Sequence, residues 1–176
     1  MEYALCYTFD CESEEKLNRY IKEVAAVTGN TMMLDNKIPP HIVVGCFETE
    51  NEEVLIDLVE SALKNIVSQQ IYVGVVGTFK PNVLFVAPQL NEFLQDSCEA
   101  FFDYLHEIAT PGDNGYFRPF KWMPHITINI TDTKAKEGLA KLVELFEAGR
   151  VTCEKLSIVQ CNPYTEVKTF ELMKSN

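Results

Sequence analysis

The chain carries three histidines, and two of them stand in the same local setting, Pro40-His41-Ile42-Val43-Val44 and Pro124-His125-Ile126-Thr127-Ile128. Imidazole titrates near neutrality, so of two imidazoles aimed at one point, one can be a neutral base while the other is a protonated acid. That pairing suits in-line displacement at phosphorus, where one proton leaves the nucleophile and another reaches the leaving oxygen. On a strand, residues i and i+2 face the same way. His41 therefore points with Val43 and His125 with Thr127, leaving Ile42, Val44, Ile126 and Ile128 for a core. The Thr127 hydroxyl is placed to donate a hydrogen bond to a non-bridging phosphate oxygen. A lone histidine in an apolar strand is more often structural than catalytic, whereas two at matching positions of a repeated unit point to a site.

The segment before the second motif, Tyr116-Phe117-Arg118-Pro119-Phe120-Lys121-Trp122, joins aromatic rings to two of the chain's 15 basic residues and holds its only tryptophan. Aromatic faces such as Tyr116 and Trp122 can stack on a base while Arg118 or Lys121 meets phosphate. The competing expectation is that these rings pack the inside of an irregular loop. Lys37, just before the first motif, either reaches the same cleft or stays solvated. Other patterns carry less. His106-Glu107-Ile108-Ala109-Thr110 lacks the second histidine of a zinc protease helix, and Gly74-Val75-Val76-Gly77 lacks the Gly-Lys-Ser/Thr ending of a phosphate loop. Neither cysteines nor carboxylates cluster with histidine at metal-ligand spacing, so neither a metal nor a cofactor is expected.

The elements that must hold these side chains are readable from periodicity. Residues about 3–9 read as a strand closed by Asp10. A helix follows over about 13–28, with Leu17, Tyr20, Ile21, Val24 and Val27 on one face and Gly29-Asn30 as a stop. A strand is expected over 41–47. Thr49 with Glu52 has the form of a capping box, opening a helix to about Asn65. Ile71–Phe79 and Val83–Ala87 read as a hairpin around Lys80-Pro81-Asn82. Further helices are expected over about 89–108 and 133–146, with strands at 125–130, 153–160 and 166–172.

The two histidine motifs lie 84 residues apart (125 minus 41), and each is followed by a helix and two strands. The economical fold is α+β and bilobal: a pseudo-two-fold duplicated unit of antiparallel sheets with outer helices and a central cleft. No flexible linker divides it, so residues 1–176 are expected to form a single domain.

Paired His-x-Thr motifs on duplicated strand units, each histidine preceded by proline, resemble the 2H phosphoesterase superfamily. Its members include the bacterial RNA 2′,3′-cyclic phosphodiesterases, also called 2′-5′ RNA ligase-like proteins. The resemblance implies metal-independent phosphodiesterase chemistry on cyclic phosphates or 2′-5′ linkages. His41 and His125 would be catalytic and Thr127 would bind phosphate. It also shows a departure, because Val43 stands where the first hydroxyl belongs. Loss of a hydrogen-bond donor to a charged oxygen removes roughly 1.5–3 kcal/mol. A non-catalytic nucleotide or RNA-end binder of the same fold is the alternative that Val43 motivates, and a partner-interaction domain without ligand is a third.

Composition narrows the ligand. The chain has 176 residues, 15 basic against 26 acidic, a net charge of −11. A surface this negative repels a polyphosphate backbone and an anionic membrane, so a mono- or dinucleotide or an RNA 3′-end is the expected partner and a long duplex is not. No apolar run approaches the ~18–20 residues of a membrane span, and the amino-terminal residues show no signal-peptide pattern. The six cysteines form no Cys-x-x-Cys pair, and several sit in apolar runs, as buried reduced thiols do. The expectation is a cytoplasmic monomer.

Overall fold

Asp10 ends the first strand by starting the first helix. Its carboxylate accepts the Ser13 backbone N–H at 3.0 Å, satisfying one of the orphan donors of a helix start, and Glu12 and Glu14 in the first turn favour the helix dipole. The computed structural model describes residues 1–79 and 82–174. Its elements run β1 (Glu2–Phe9), α1 (Cys11–Thr28), α2 (Met32–Asp35), β2 (Ile42–Glu48), α3 (Glu52–Leu63), β3 (Gln69–Phe79) and β4 (Val83–Pro88). They continue with α4 (Glu92–Leu105), β5 (Thr110–Pro111), a 3-10 turn (Asp113–Gly115), β6 (Ile126–Ile130), α5 (Ala135–Leu145), β7 (Gly149–Gln160) and β8 (Thr165–Glu171). Strands β3 and β4 pair as an antiparallel hairpin; Lys80 and Pro81 of its expected turn lie outside the described residues.

Caps set the helix limits more sharply than periodicity does. The expected capping box at Thr49 and Glu52 does not form. Tyr3 Oη donates to the Glu52 carboxylate at 3.0 Å, which draws that side chain away from the helix start. Asn51 caps α3 instead, accepting from the Val54 N–H at 3.3 Å, and Asn91 does the same for α4 through the Leu94 N–H at 3.0 Å.

The strands form one antiparallel sheet in the order β1-β2-β6-β4-β3-β7-β8, and β1 also pairs with β7. Six strands therefore return on themselves in a ring, with β8 added outside β7 and the two-residue β5 against β2. The repeat is visible as β1-α1-β2-α3-β3 followed by β4-α4-β6-α5-β7. Helices α1 and α5 pack on each other, α1 against β6 and α5 against β3 and β4, while α3 and α4 pack together with α4 against β2. Each first helix thus covers the motif strand of the other repeat. Tyr3, Leu5, Tyr7, Ile42, Val44, Leu55, Phe101, Ile126 and Ile128 are all fully buried in the core between sheet and helices. Among the described residues no helix is long and apolar enough to cross a membrane.

Two irregularities matter for the site. Leu5 pairs with Gly45 and Cys6 with Val43, so Val44 is an extra residue in β2. A bulge of this kind reverses the alternation of faces beyond it: Val43 shares a face with Cys6, and Cys46, opposite Ala4, shares it too. The other is Gly77, opposite Phe85 in the hairpin, where a Cβ would come within 2.5 Å of the Phe85 ring. Only the bare backbone lets that ring lie flat across β3.

Candidate active site

Strands β2 and β6 meet at a single registered pair, Ile42 with Ile126. Both isoleucines point into the core and are fully buried. Their neighbours His41, Val43, His125 and Thr127 are half-buried, which by strand alternation sets all four on the opposite face. The side chains singled out by the two motifs are thus brought together across one strand seam.

The two imidazoles are held in the same way. His41 Nδ1 lies 2.8 Å from the Pro39 carbonyl, and His125 Nδ1 lies 2.9 Å from the Met123 carbonyl. A carbonyl only accepts, so Nδ1 carries the hydrogen in both rings and Nε2 is left to take and release a proton. The prolines between explain the geometry. Pro40 and Pro124 have a fixed φ and no N–H, and restrict the residue before them, so the carbonyl two residues back turns toward the ring. Tyr116 extends this support: its hydroxyl accepts the Met123 N–H at 3.1 Å, steadying the residue that steadies His125. Phe79 meets the His125 ring edge-on at 4.8 Å between centroids. Phe85 is tilted against the same ring at 5.7 Å.

Burial pushes His41 below the usual histidine value of 6.5; the Pro39 carbonyl raises it and the charge of His125 lowers it further. Burial also lowers His125, against a raising effect of the Met123 carbonyl. Below 6.5 the unfolded chain takes up protons that the folded chain resists, so this stability is complete above about 6.5 and is lost as pH falls through the lowered values. Thermal melts across pH 5–8 should show Tm falling on the acid side, with a shallower fall in His41→Gln. An unchanged slope in that variant counts against a buried neutral His41.

A cavity of about 240 Å3 opens beside the seam, lined by His41, Val43 and Thr127 together with Cys6, Val159 and Tyr164. Met33 from α2 and Ile38 beyond it also line it. Tyr164 was not foreseen in the sequence; it follows the Asn162-Pro163 turn between β7 and β8, and nothing in its spacing marks it. Burial, with the charges of Cys6 and Glu166, pushes its phenol up to about 12, so it remains a neutral O–H donor in the cavity. No hydrogen bond to the Thr127 hydroxyl occurs among the described residues.

The expected basic and aromatic residues are placed less directly. Lys121 Nζ donates to the Gly115 carbonyl at 3.0 Å, and Arg118 is exposed with its guanidinium folded over Gly115. Neither lines the cavity. Lys37 is exposed in a loop with φ of 53°. Trp122 corrects an expectation: it is 7% exposed, within the core, with Phe117 at 6.5 Å between centroids. A ring packed on apolar neighbours has no face left for a base. Tyr116 supports the loop through its hydroxyl.

In overall structure the chain is similar to a protein described as a phosphoesterase, with 13% identity, 98% of each chain covered and a TM-score of 0.62. It is similar to E. coli LigT complexed with 3′-AMP, at 14% identity, 98% coverage of each chain and a TM-score of 0.61. It also resembles Kluyveromyces marxianus Usb1, at 12% identity, 97% and 98% coverage and a TM-score of 0.51. At these identities the likeness establishes the α+β fold. No curated protein matches the chain in sequence. Residues 14–163, most of the chain and both histidine motifs, match the 2′-5′ RNA ligase superfamily, and the chain belongs to that superfamily of 2H phosphoesterases.

Proposed function

We propose that the chain is a phosphodiesterase of small nucleotide or RNA-terminal phosphodiesters, acting on a 2′,3′-cyclic phosphate or a 2′-5′ linkage by acid/base catalysis between His41 and His125. The observation that carries this reading is the duplicated support of the two rings, each with Nδ1 bound to the carbonyl two residues back. One neutral Nε2 removes the proton of the attacking hydroxyl or water. The other ring, protonated, supplies a proton to the leaving oxygen, and neither step calls on a metal. Thr127 donates to a non-bridging oxygen, and Tyr164, which lines the same cavity, offers a second neutral donor. Arg118 and Lys121 put positive charge on the loop leading into His125 in a chain of net charge −11, which favours a ligand with few phosphates. The family implies phosphodiesterase or RNA-end processing chemistry, and E. coli LigT has been solved with ATP, NADP+ and 3′-AMP, all small nucleotides. The single domain, the monomeric state and a cytoplasmic site of action belong to the same proposal.

The test is turnover of a 2′,3′-cyclic mononucleotide and of a 2′-5′ dinucleotide, with Val43→Thr beside the parent chain. Valine and threonine share a shape, and Val43 lines the cavity, so the added hydroxyl restores the missing donor where phosphate would sit. At roughly 1.5–3 kcal/mol for a bond to a charged group, kcat/KM should rise about ten- to a hundredfold on whichever substrate is used. Tight nucleotide binding with no product from either protein would replace this reading with a non-catalytic binder.

A further inference from the structure

We propose that Glu2, Cys46 and Cys161 form a site for a thiophilic divalent cation of the zinc class, where the start of β1, the far half of β2 and the end of β7 meet. One carboxylate oxygen and two thiol sulfurs lie within 4.8 Å of one another, and Cys46 Sγ stands 3.4 Å from Glu2 Oε1. A tetrahedral zinc ion with Zn–S of about 2.3 Å and Zn–O of about 2.0–2.2 Å needs sulfur-to-oxygen edges of roughly 3.5 Å. The observed spacing therefore admits the ion with little movement. Two thiolates and a carboxylate suit zinc and exclude magnesium or calcium, which take oxygen ligands.

The ligands come from rigid, mutually tied backbone. Glu2 opens β1, Cys46 lies in β2 beyond the bulge, and Cys161 directly follows β7. The Cys161 N–H donates to the Glu2 carbonyl at 3.0 Å and the Gly112 N–H to the Cys46 carbonyl at 2.8 Å. The Asp113 N–H donates to Glu2 Oε1 at 2.9 Å, the kind of outer contact that orients a metal-binding carboxylate. Gly112 adds an independent sign. Its φ of −73° and ψ of −176° are open to any residue, so its backbone does not call for glycine. A Cβ there would stand 2.7 Å from both Cys46 Sγ and Glu2 Oε1. The glycine keeps clear the space around the two ligand atoms. Three protein ligands leave a fourth position for water, as in sites that are not purely structural, and Cys161 also lines the cavity that holds His41. Binding displaces the thiol protons of Cys46 and Cys161 to solvent and changes no oxidation state. The inference does not depend on which phosphodiester is cleaved or on whether any is.

Cobalt(II) titration of the full chain in a phosphine reductant tests it. The expected result is one equivalent bound per chain, with thiolate-to-cobalt charge transfer in the near ultraviolet and tetrahedral bands in the visible, all displaced by zinc. Cys161→Ser should remove part of the charge-transfer band. Glu2→Gln and Gly112→Ala should weaken binding by at least the ten- to hundredfold that loss of an outer contact costs, while Cys11→Ser, on an exposed thiol elsewhere, should leave it unchanged. The parent chain alone is decisive, so a variant that folds poorly does not rescue the idea. Absence of the charge-transfer band overturns the site, as does a band that survives Cys161→Ser and Gly112→Ala. A Cys46–Cys161 pair that crosslinks in air yet takes up no cobalt when reduced also overturns it.

Discussion

His125→Ala is expected to lower kcat on a 2′,3′-cyclic nucleotide by about 10²–10⁴-fold, the usual worth of a positioned general acid or base, and His41→Ala by a similar factor. Acid and base act in one proton relay, so the double variant should be little worse than either single one. The shape of the pH profile carries independent information. Burial sets both rings below the usual 6.5, and the productive form has one ring protonated and one neutral. That form is most populated between the two lowered values, so kcat/KM should trace a bell whose maximum lies on the acid side of 6.5. A phosphate group entering the cavity raises both values, so the profile of kcat should lie at higher pH than that of kcat/KM. Either alanine variant turning over at the parent rate, with circular dichroism showing a native fold, would end the two-histidine mechanism.

The second large effect concerns folding. Trp122→Ala should destabilise the protein by about 3–5 kcal/mol, as removal of a large buried aromatic does. Trp122→Phe should cost far less. The Trp122 Nε1–H is buried with no hydrogen-bond partner among the described residues, and an unpaired buried donor costs about 1–3 kcal/mol. Phenylalanine sheds that donor while keeping most of the apolar ring, so the lost volume and the relieved polar group oppose one another. Denaturant melts of the two variants check the difference. Substrate titration of Trp122→Phe should give the parent KM; a KM raised tenfold would return Trp122 to the ligand and overturn its place in the core.

The positions of the elements were legible wherever a pattern is local. The strand ending before Asp10, the amphipathic face of α1 and the repeated order of strand, helix and strand pair all follow from side-chain periodicity. So did the two motifs, because a strand's alternation alone carries His41 to the face of Val43 and His125 to the face of Thr127; the Ile42–Ile126 register that joins the two faces did not. What needed the structure was contact between distant segments. The cap of α3 moved from Thr49 to Asn51 because Tyr3, nearly fifty residues earlier, takes Glu52. Strand β7 starts at Gly149, four residues before the expected 153, because its first half pairs with β3, a pairing no local pattern announces. The short α2 and β5 lack the length for periodicity. The bulge at Val44 reads as an ordinary run of β-branched residues, yet it alone carries Cys46 to the face of Cys6. In the loop before His125, composition could not separate stacking from packing; burial decided for Trp122, while Tyr116 is half-buried with its hydroxyl bonded to the Met123 N–H.

The return of six strands on themselves bears on how the protein behaves in crowded solution. An unpaired strand edge is a template on which another chain can build, and it seeds aggregation. Here β1, β2, β6, β4, β3 and β7 each have a strand neighbour on both sides, though β2 and β6 share only the Ile42–Ile126 pair, and among the described strands β8 pairs with β7 alone and leaves its other edge without a strand partner. That strand reads Thr-Glu-Val-Lys-Thr-Phe-Glu, with a charge at Glu166, Lys168 and Glu171. A second molecule docking there edge to edge would bury those charges, so a protein rich in β-structure keeps this outer seam unattractive to its own copies.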